Sequence, residues 1–177
     1  MFAPATLHTD RFLLRQFCPD DLPFVFEGLS HPDVIRYYGV NYSTLEETNS
    51  QLSWFREIQE NETGMWWAIC DKKTLSLLGS IGFNDLSKSD QRAEVGFWLL
   101  PEYWGLGIIK EAAAAVFGYA SKVLNLAKIV ALVETENNNS KKLVKKLGFI
   151  YQETLWNCEI KNDHPISLEI YKKNIQE

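Results

Sequence analysis

Two stretches of the chain carry residues whose types and spacing can do chemistry. In the first, Trp104-Gly105-Leu106-Gly107-Ile108-Ile109-Lys110, two glycines stand between an apolar run and an Ala-rich segment of helical spacing. Glycine lets successive backbone N–H groups converge without a Cβ in the way. A helix N-terminus adds partial positive charge, so the loop is in principle a cradle for a phosphate or diphosphate. A plain tight turn is the competing reading. The stretch is neither Gly-x-Gly-x-x-Gly nor a Walker loop, because the third glycine and the Gly-Lys-Ser/Thr ending are absent. In the second stretch, from Asn137 to Gly148, an Asn/Ser-rich start leads into Lys141, Lys142, Lys145 and Lys146. Like charges at i,i+4 spacing repel mildly. A multiply charged anion offsets that repulsion, whereas a solvated helix face needs no ligand.

The elements that must position these stretches follow from periodicity and breakers. Alternation predicts a strand over 9–17, and Pro19-Asp20-Asp21 opens a helix through Leu29. A short helical piece ends at Tyr37-Tyr38-Gly39, and Ser43 or Thr44 caps a helix with Leu52, Trp54, Phe55 and Ile58 on one stripe. Strands are predicted over 65–70, 75–83 and 93–100, then a helix over 110–124 and a buried strand over 128–133. A basic helix over 138–147 stops at Gly148, a natural left-handed stop, and strands over 149–160 and 166–171 finish the chain. A strand meander followed by βαβ crossings implies a mixed sheet with helices on both faces.

Composition bounds the function. The 177 residues suit a single domain over 1–177, and 46% hydrophobic residues exclude a disordered chain. Cys18, Cys70 and Cys158 are odd in number and far apart, so neither a closed disulfide framework nor a zinc site is expected, and all three read as buried reduced thiols. No metal is expected. The N-terminus lacks a basic segment followed by an apolar run, and no stretch approaches the ~18 apolar residues of a membrane span. The expectation is a cytoplasmic protein without a membrane partner. A net charge of −5 argues against nucleic acid. The charge is uneven: residues 1–100 hold 14 acids and 8 bases, residues 101–177 hold 9 acids and 10 bases. An anion therefore belongs with the C-terminal half. A cationic ligand suits the acid-rich N-terminal half, among Tyr37, Tyr38, Trp54, Trp66 and Trp67, with Tyr38, Trp54 and Trp67 as the expected contacts. Core packing is the competing use of such aromatics. His8, His31 and His164 lie by turns or the terminus and carry no assigned role.

The two stretches together resemble the GCN5-related N-acetyltransferase (GNAT) family, most closely its RimJ/RimL-like branch of ribosomal-protein N-terminal acetyltransferases. The likeness runs from Thr9-Asp10-Arg11 to Arg15, through Asp33 to Gly39, Leu78-Gly79 to Phe83, Ala93-Glu94 to Phe97 and Pro101 to Gly107, to Asn137, Ser140 and Lys146-Leu147-Gly148-Phe149. It implies the family's fold, a mostly antiparallel sheet of six to seven strands, and acetyl-CoA as cofactor with CoA as product. The diphosphate would sit on the amides of Trp104, Gly105, Leu106, Gly107, Ile108, Ile109 and Lys110. The pantetheine arm would pair with the backbone of Trp98, Leu99 and Leu100 as an added strand does. Asn137 and Ser140 match the family's second cofactor-contacting element.

By the same resemblance, Glu94 matches the general base, acting through water, and an outward strand residue is the competing reading. The amide near Leu99 or Leu100 would receive the developing oxyanion. The acceptor is a primary amine: a protein or peptide N-terminus, a polyamine or an aminoglycoside-like molecule. An α-amine, with a pKa near ~7.8, asks less of a base than a lysine-like amine near ~10.4. Glu94→Gln is expected to lower turnover, more so at low pH.

Three residues depart from the family pattern. Trp104 replaces Gln or Arg, Ile109 stands where the diphosphate approaches most closely, and Val144 stands where many relatives carry a tyrosine acid. A thiolate leaving group, from a thiol of pKa near ~8.5, needs that acid less than an alkoxide does, and Ser140 or water is left to supply the proton. Val144 and Ile109 motivate the alternative reading, a non-catalytic acyl-CoA-binding regulatory module. The sequence does not fix the oligomeric state; a homodimer is the commonest assembly among closed homo-oligomers.

Overall fold

Tryptophan, isoleucine and phenylalanine crowd the middle of the chain, and there the backbone runs as long strands. The structure, a computed structural model, describes residues 2–176. Its elements are β1 (Leu7–His8), β2 (Phe12–Arg15), α1 (Leu22–Ser30), α2 (Pro32–Ile35), α3 (Leu45–Glu60), β3 (Met65–Asp71), β4 (Leu77–Ser87), β5 (Arg92–Leu99), α4 (Ile108–Lys122), β6 (Lys128–Glu134), α5 (Asn138–Lys146), β7 (Ile150–Lys161) and β8 (His164–Asn174). Of the two candidate caps for α3, Thr44 does the work: its side chain accepts the Glu47 N–H at 3.1 Å.

The described strands form one eight-stranded sheet in the order β1-β2-β3-β4-β5-β6-β8-β7. The mixed α/β class and the mostly antiparallel sheet agree with the sequence, but the strand count is higher. The extra strand is β1, two residues that pair Leu7 with Leu14, too short for any periodicity to reveal. Only β5 and β6 run parallel, joined by the α4 crossover. The second expected βαβ unit does not form. After α5 the chain enters β7 at the sheet's edge, and β8 returns antiparallel between β6 and β7, pairing with β6 along Lys128–Glu134. The tight turn at Asn162 and Asp163, both at positive φ, makes that return.

Two cores flank the sheet. On one side Ile81, Phe83, Ala93 and Val95 meet α4, whose Ala112, Ala113 and Ala120 allow a close approach. On the other side Trp66 and Trp98 meet Phe24, Val25, Leu29 and Phe55 from α1 and α3. Of the cysteines only Cys70 is buried; Cys18 and Cys158 are exposed, and all three are free thiols. The expectation of three buried thiols fails because Cys18 precedes a turn and Cys158 lies on the uncovered strand β7. No described helix is long and apolar enough to cross a membrane.

Candidate functional site

β5 and β6 pair only from Arg92 to Glu94 against Lys128 to Val130. Beyond that the strands part, and the gap between them opens into a cleft of about 1620 Å³. Residues 95–99 of β5 form one wall and residues 131–134 of β6 the other, with α5 and the start of α4 at one end and α2 and α3 at the opposite end.

The anion end is built from the glycine loop. Gly105 and Gly107 sit at φ +77° and +74°, and Gly107 caps α4. The amides of Ile108, Ile109 and Lys110 have no acceptor within the helix, and these residues line the cleft. A Cβ built at Gly105 meets nothing within 4 Å, so no part of the chain fills the space beside it. Lys110, Lys142 and Lys146 line the same end. Free amides, a helix N-terminus and three cations fit a diphosphate carrier such as CoA. Ile109 borders the cleft but is buried with the α4 core, so its side chain takes up little of the open space. Leu106 lies outside the cleft lining and is exposed. The lysines of α5 split by helical position, since Lys141 turns away to the Thr135 carbonyl and the Glu169 carboxylate.

Strand alternation changes which backbone groups face the gap. The Leu100 N–H donates to the Leu78 carbonyl of β4 at 3.0 Å, so Leu100 is not a free donor. Trp98 points its backbone the same way, and Phe97 and Leu99 hold the open edge instead. The Leu99 carbonyl already accepts the Trp104 indole N–H at 2.9 Å, which leaves the Leu99 amide available. Trp104 thus has a structural task, holding the Leu99 carbonyl. The Trp98 side chain lies in the second core, and its indole N–H has no partner among the described residues.

Glu94 lies on the cleft face of β5, opposite Asn84 of β4. Burial raises its carboxyl pKa to about 7, with further lifts from the nearby Asp85 and Glu159 carboxylates that Arg92 only partly offsets. Neither acid was singled out by the sequence. Asp85 follows Asn84 at a break in the β4 register, and Glu159 arrives from a strand 65 residues later in the chain. Lys161 fixes that distant strand end, donating to Glu134 at 2.6 Å and to the Arg36 carbonyl at 2.8 Å.

Aromatic residues form the wall around Glu94. Tyr38 and Trp54, two of the candidate acceptor contacts, line the cleft. Burial, then Tyr42 and Glu94, push the Tyr38 hydroxyl far above its usual pKa, so it stays a protonated donor. Trp67 does not belong here. It is fully buried on the opposite face, stacked edge-on against Tyr119 at 5.6 Å, with its indole N–H on the Ala5 carbonyl. Side chains alternate along a strand, so its neighbour Trp66 faces the cleft, held by a 2.7 Å hydrogen bond to the Asn84 side chain. The strand was legible in the sequence as an apolar run; which of its two tryptophans faces the cleft was not.

At the start of α5, Asn137 accepts the Ser140 N–H at 3.1 Å and so serves as the helix cap, while both residues line the cleft. Val144, in place of a tyrosine, is fully buried against the α4 core. Val144→Tyr is therefore expected to overpack rather than install an acid. The variant should lose roughly 1–3 kcal/mol of stability in denaturant unfolding and gain no turnover. A stable, faster variant would sink that account.

Comparison with known proteins agrees with this geometry. The sequence profile of the Acetyltransferase (GNAT) domain matches residues 11–150. An uncharacterized N-acetyltransferase, YoaA of Bacillus subtilis (strain 168), is 34% identical over 166 residues, covering 93% of this chain and 94% of its own. A ribosomal-protein-serine acetyltransferase of Escherichia coli (strain K12) is 29% identical over 99 residues, 56% of this chain and 55% of its own. In fold, the chain superposes on a spermidine N-acetyltransferase from Vibrio cholerae, solved in complex with CoA and spermine. The TM-score is 0.81 at 19% identity, covering 93% of this chain and 95% of that one. With the profile spanning most of its length and the cleft shaped for a diphosphate carrier, the chain belongs to the GNAT family of acetyl-CoA-dependent N-acetyltransferases.

Proposed function

We propose that the cleft acetylates a small cationic amine carrying more than one positive charge, a di- or polyamine, with Glu94 as the base. The observation that carries this reading is the acidic field around Glu94, which lines the cleft together with Tyr38: the exposed carboxylates of Asp85 and Glu159, outside the lining, lie near enough to lift its pKa. Asp33 and Glu57 extend the acidic lining. Aromatic faces of Tyr38 and Trp54 add favourable contacts for an ammonium. A peptide α-amine presents one charge and makes less use of such a lining.

Acetyl-CoA, when bound, supplies an acyl carbon open to attack and a thiolate leaving group. Glu94, with a pKa near the working pH, takes a proton from the acceptor ammonium, directly or through water, leaving a nucleophilic amine. The Leu99 amide on the open edge of β5 is the donor available for the thioester oxygen as it gains charge. Ser140 lines the cleft on the α5 side and is the hydroxyl nearest in sequence to the lost tyrosine position; it or water returns a proton to the thiolate. The exposed free thiols Cys18 and Cys158 fit a reducing cytoplasm.

The test is a thermal melt with acetyl-CoA followed by thiol release against spermidine, spermine, short peptides with free N-termini and an aminoglycoside. Acetyl-CoA at about a hundred times its Kd should stabilise the fold by roughly 2.7 kcal/mol. Polyamines should give the highest kcat/KM. Stabilisation without thiol release on any amine would favour a regulatory acyl-CoA-binding module, and faster release on peptides would replace the polyamine reading.

A further inference from the structure

The N-terminal arm makes an unusually complete connection to the anion loop. Thr9 Oγ1 donates to Glu111 Oε1 at 2.6 Å, and the Arg11 backbone N–H donates to the same oxygen at 2.8 Å. Arg11 Nε donates to Glu111 Oε2 at 2.7 Å. The two remaining guanidinium nitrogens, Nη1 and Nη2, both donate to the Leu106 carbonyl, at 3.2 and 3.3 Å. Glu111 lies in the first turn of α4, where the helix dipole favours a carboxylate. Burial would raise its pKa, but the hydrogen bonds from Thr9 and Arg11 prevail and hold it below the usual range.

The carbonyl contact matters through peptide geometry. In a planar trans peptide the C=O and the following N–H point in opposite directions. Arg11 holds the Leu106 carbonyl toward the N-terminal arm, and neither Arg11 nor Leu106 lines the cleft. The Gly107 N–H of the same peptide is thereby turned the other way, toward the cleft that Gly107 does line. Gly107, at φ +74°, has no side chain of its own to hold that orientation. One planar guanidinium therefore fixes both the peptide plane and, through Glu111, the helix turn that supplies the next amides. A lysine has a single ammonium and cannot span both acceptors with the same fork.

We propose that Arg11 is a positioning residue for diphosphate recognition, aiming the Gly107 amide and the first turn of α4 without contacting the ligand. The inference rests on the reading that this loop takes the diphosphate of acetyl-CoA. The experiment measures the CoA Kd by calorimetry for the parent, Arg11→Met and Arg11→Lys, together with kcat/KM for acetyl-CoA and for S-acetyl-pantetheine, which lacks the diphosphate. Methionine keeps an unbranched apolar chain but removes the guanidinium, whose Cζ lies 4.6 Å from the Phe12 ring centroid.

Arg11→Met should raise the CoA Kd about 10- to 100-fold, the scale of losing hydrogen bonds to a charged group, and Arg11→Lys should fall between it and the parent. Relative kcat/KM with S-acetyl-pantetheine should stay within about twofold of the parent. An unchanged CoA Kd overturns the proposal, and so does an equal loss with both donors, which marks a general distortion. If Arg11→Met does not fold, Glu111→Gln loosens the same tether and should raise the CoA Kd by a smaller factor, with the same donor contrast. Failure of the parent itself to bind CoA would instead remove the reading of the loop on which the inference stands.

Discussion

Replacing Glu94 with glutamine should lower kcat/KM for the amine about 10²- to 10⁴-fold at pH 8, the usual range for losing a general base. The parent's rate should rise with pH through about 7 and level off above it, because only the ionised carboxyl accepts a proton and its pKa stands at about 7. The variant should lose that limb. The gap between the two therefore narrows below pH 6, where the parent's base is itself protonated. This reverses the expectation from sequence of a larger loss at low pH, which holds only for a carboxylate with an ordinary pKa. Initial rates from pH 5.5 to 9 on both proteins decide the matter, and a flat parent profile from pH 6 to 9 removes Glu94 from the mechanism.

The same shift makes a stability prediction of opposite sign. Folding raises the Glu94 pKa from 4.5 to about 7, so the folded state prefers the protonated form. Stability is unaffected below pH 4.5 and declines as the pH rises through 7, by up to about 3 kcal/mol for a shift of this size. Glutamine carries no charge to desolvate. Glu94→Gln should therefore melt several degrees above the parent at pH 8 and nearly level with it at pH 4.5. An inactive variant that is also destabilised at pH 8 would mean that the carboxylate is not held against a burial cost.

Gly82→Val should damage both the fold and acceptor recognition. The Trp66 indole lies flat across β4 and β5, over Gly82 and Gly96. A Cβ at Gly82 comes within 2.6 Å of the Met65 carbonyl and closer still to the Trp66 ring, and one at Gly96 comes within 2.7 Å of the far end of that ring. The ring must leave its place, breaking its bond to Asn84 and shifting its packing on Phe55, whose centroid is 5.5 Å away. Overpacking of this kind costs about 3 kcal/mol, or roughly 6–12 °C in Tm for a domain of this size. The acceptor KM should rise while the acetyl-CoA KM changes little, since the anion loop lies at the other end of the cleft. In a Trp66→Ala background Gly82→Val should cost less by the share due to the ring, the contact with the Met65 carbonyl remaining. Additive effects in that double-mutant cycle would sink the account.

Much of the fold was legible in the sequence because it rests on local periodicity. The runs at 65–70 and 128–133, the Ala-rich helix after Gly107 and the basic helix ending at Gly148 all sit within a few residues of β3, β6, α4 and α5. The glycine pair before α4 also stood out, since a positive φ at Gly105 and Gly107 is a property of residue type and turn. The strand β1 escaped because two residues have no period, and the place of β8 between β6 and β7 escaped because pairing order is not written in any one segment.

By itself the sequence determined the fold class and the family, and it singled out the glycine loop and Glu94 as candidates, since each rests on neighbouring residues. Tertiary structure alone decided that Trp66 rather than Trp67 faces the cleft, that Leu99 rather than Leu100 offers its amide, and that Ile109 and Val144, though they border the cleft, are buried with the core. It also brought Asp85 and Glu159 near enough to act on Glu94, set Lys161 between Glu134 and Arg36, and tied Arg11 to the far side of the loop. The physical reason is that alternation fixes which residues share a face, whereas only the packing of helices on that sheet and the splay of β5 from β6 fix which face is solvent, core or cleft.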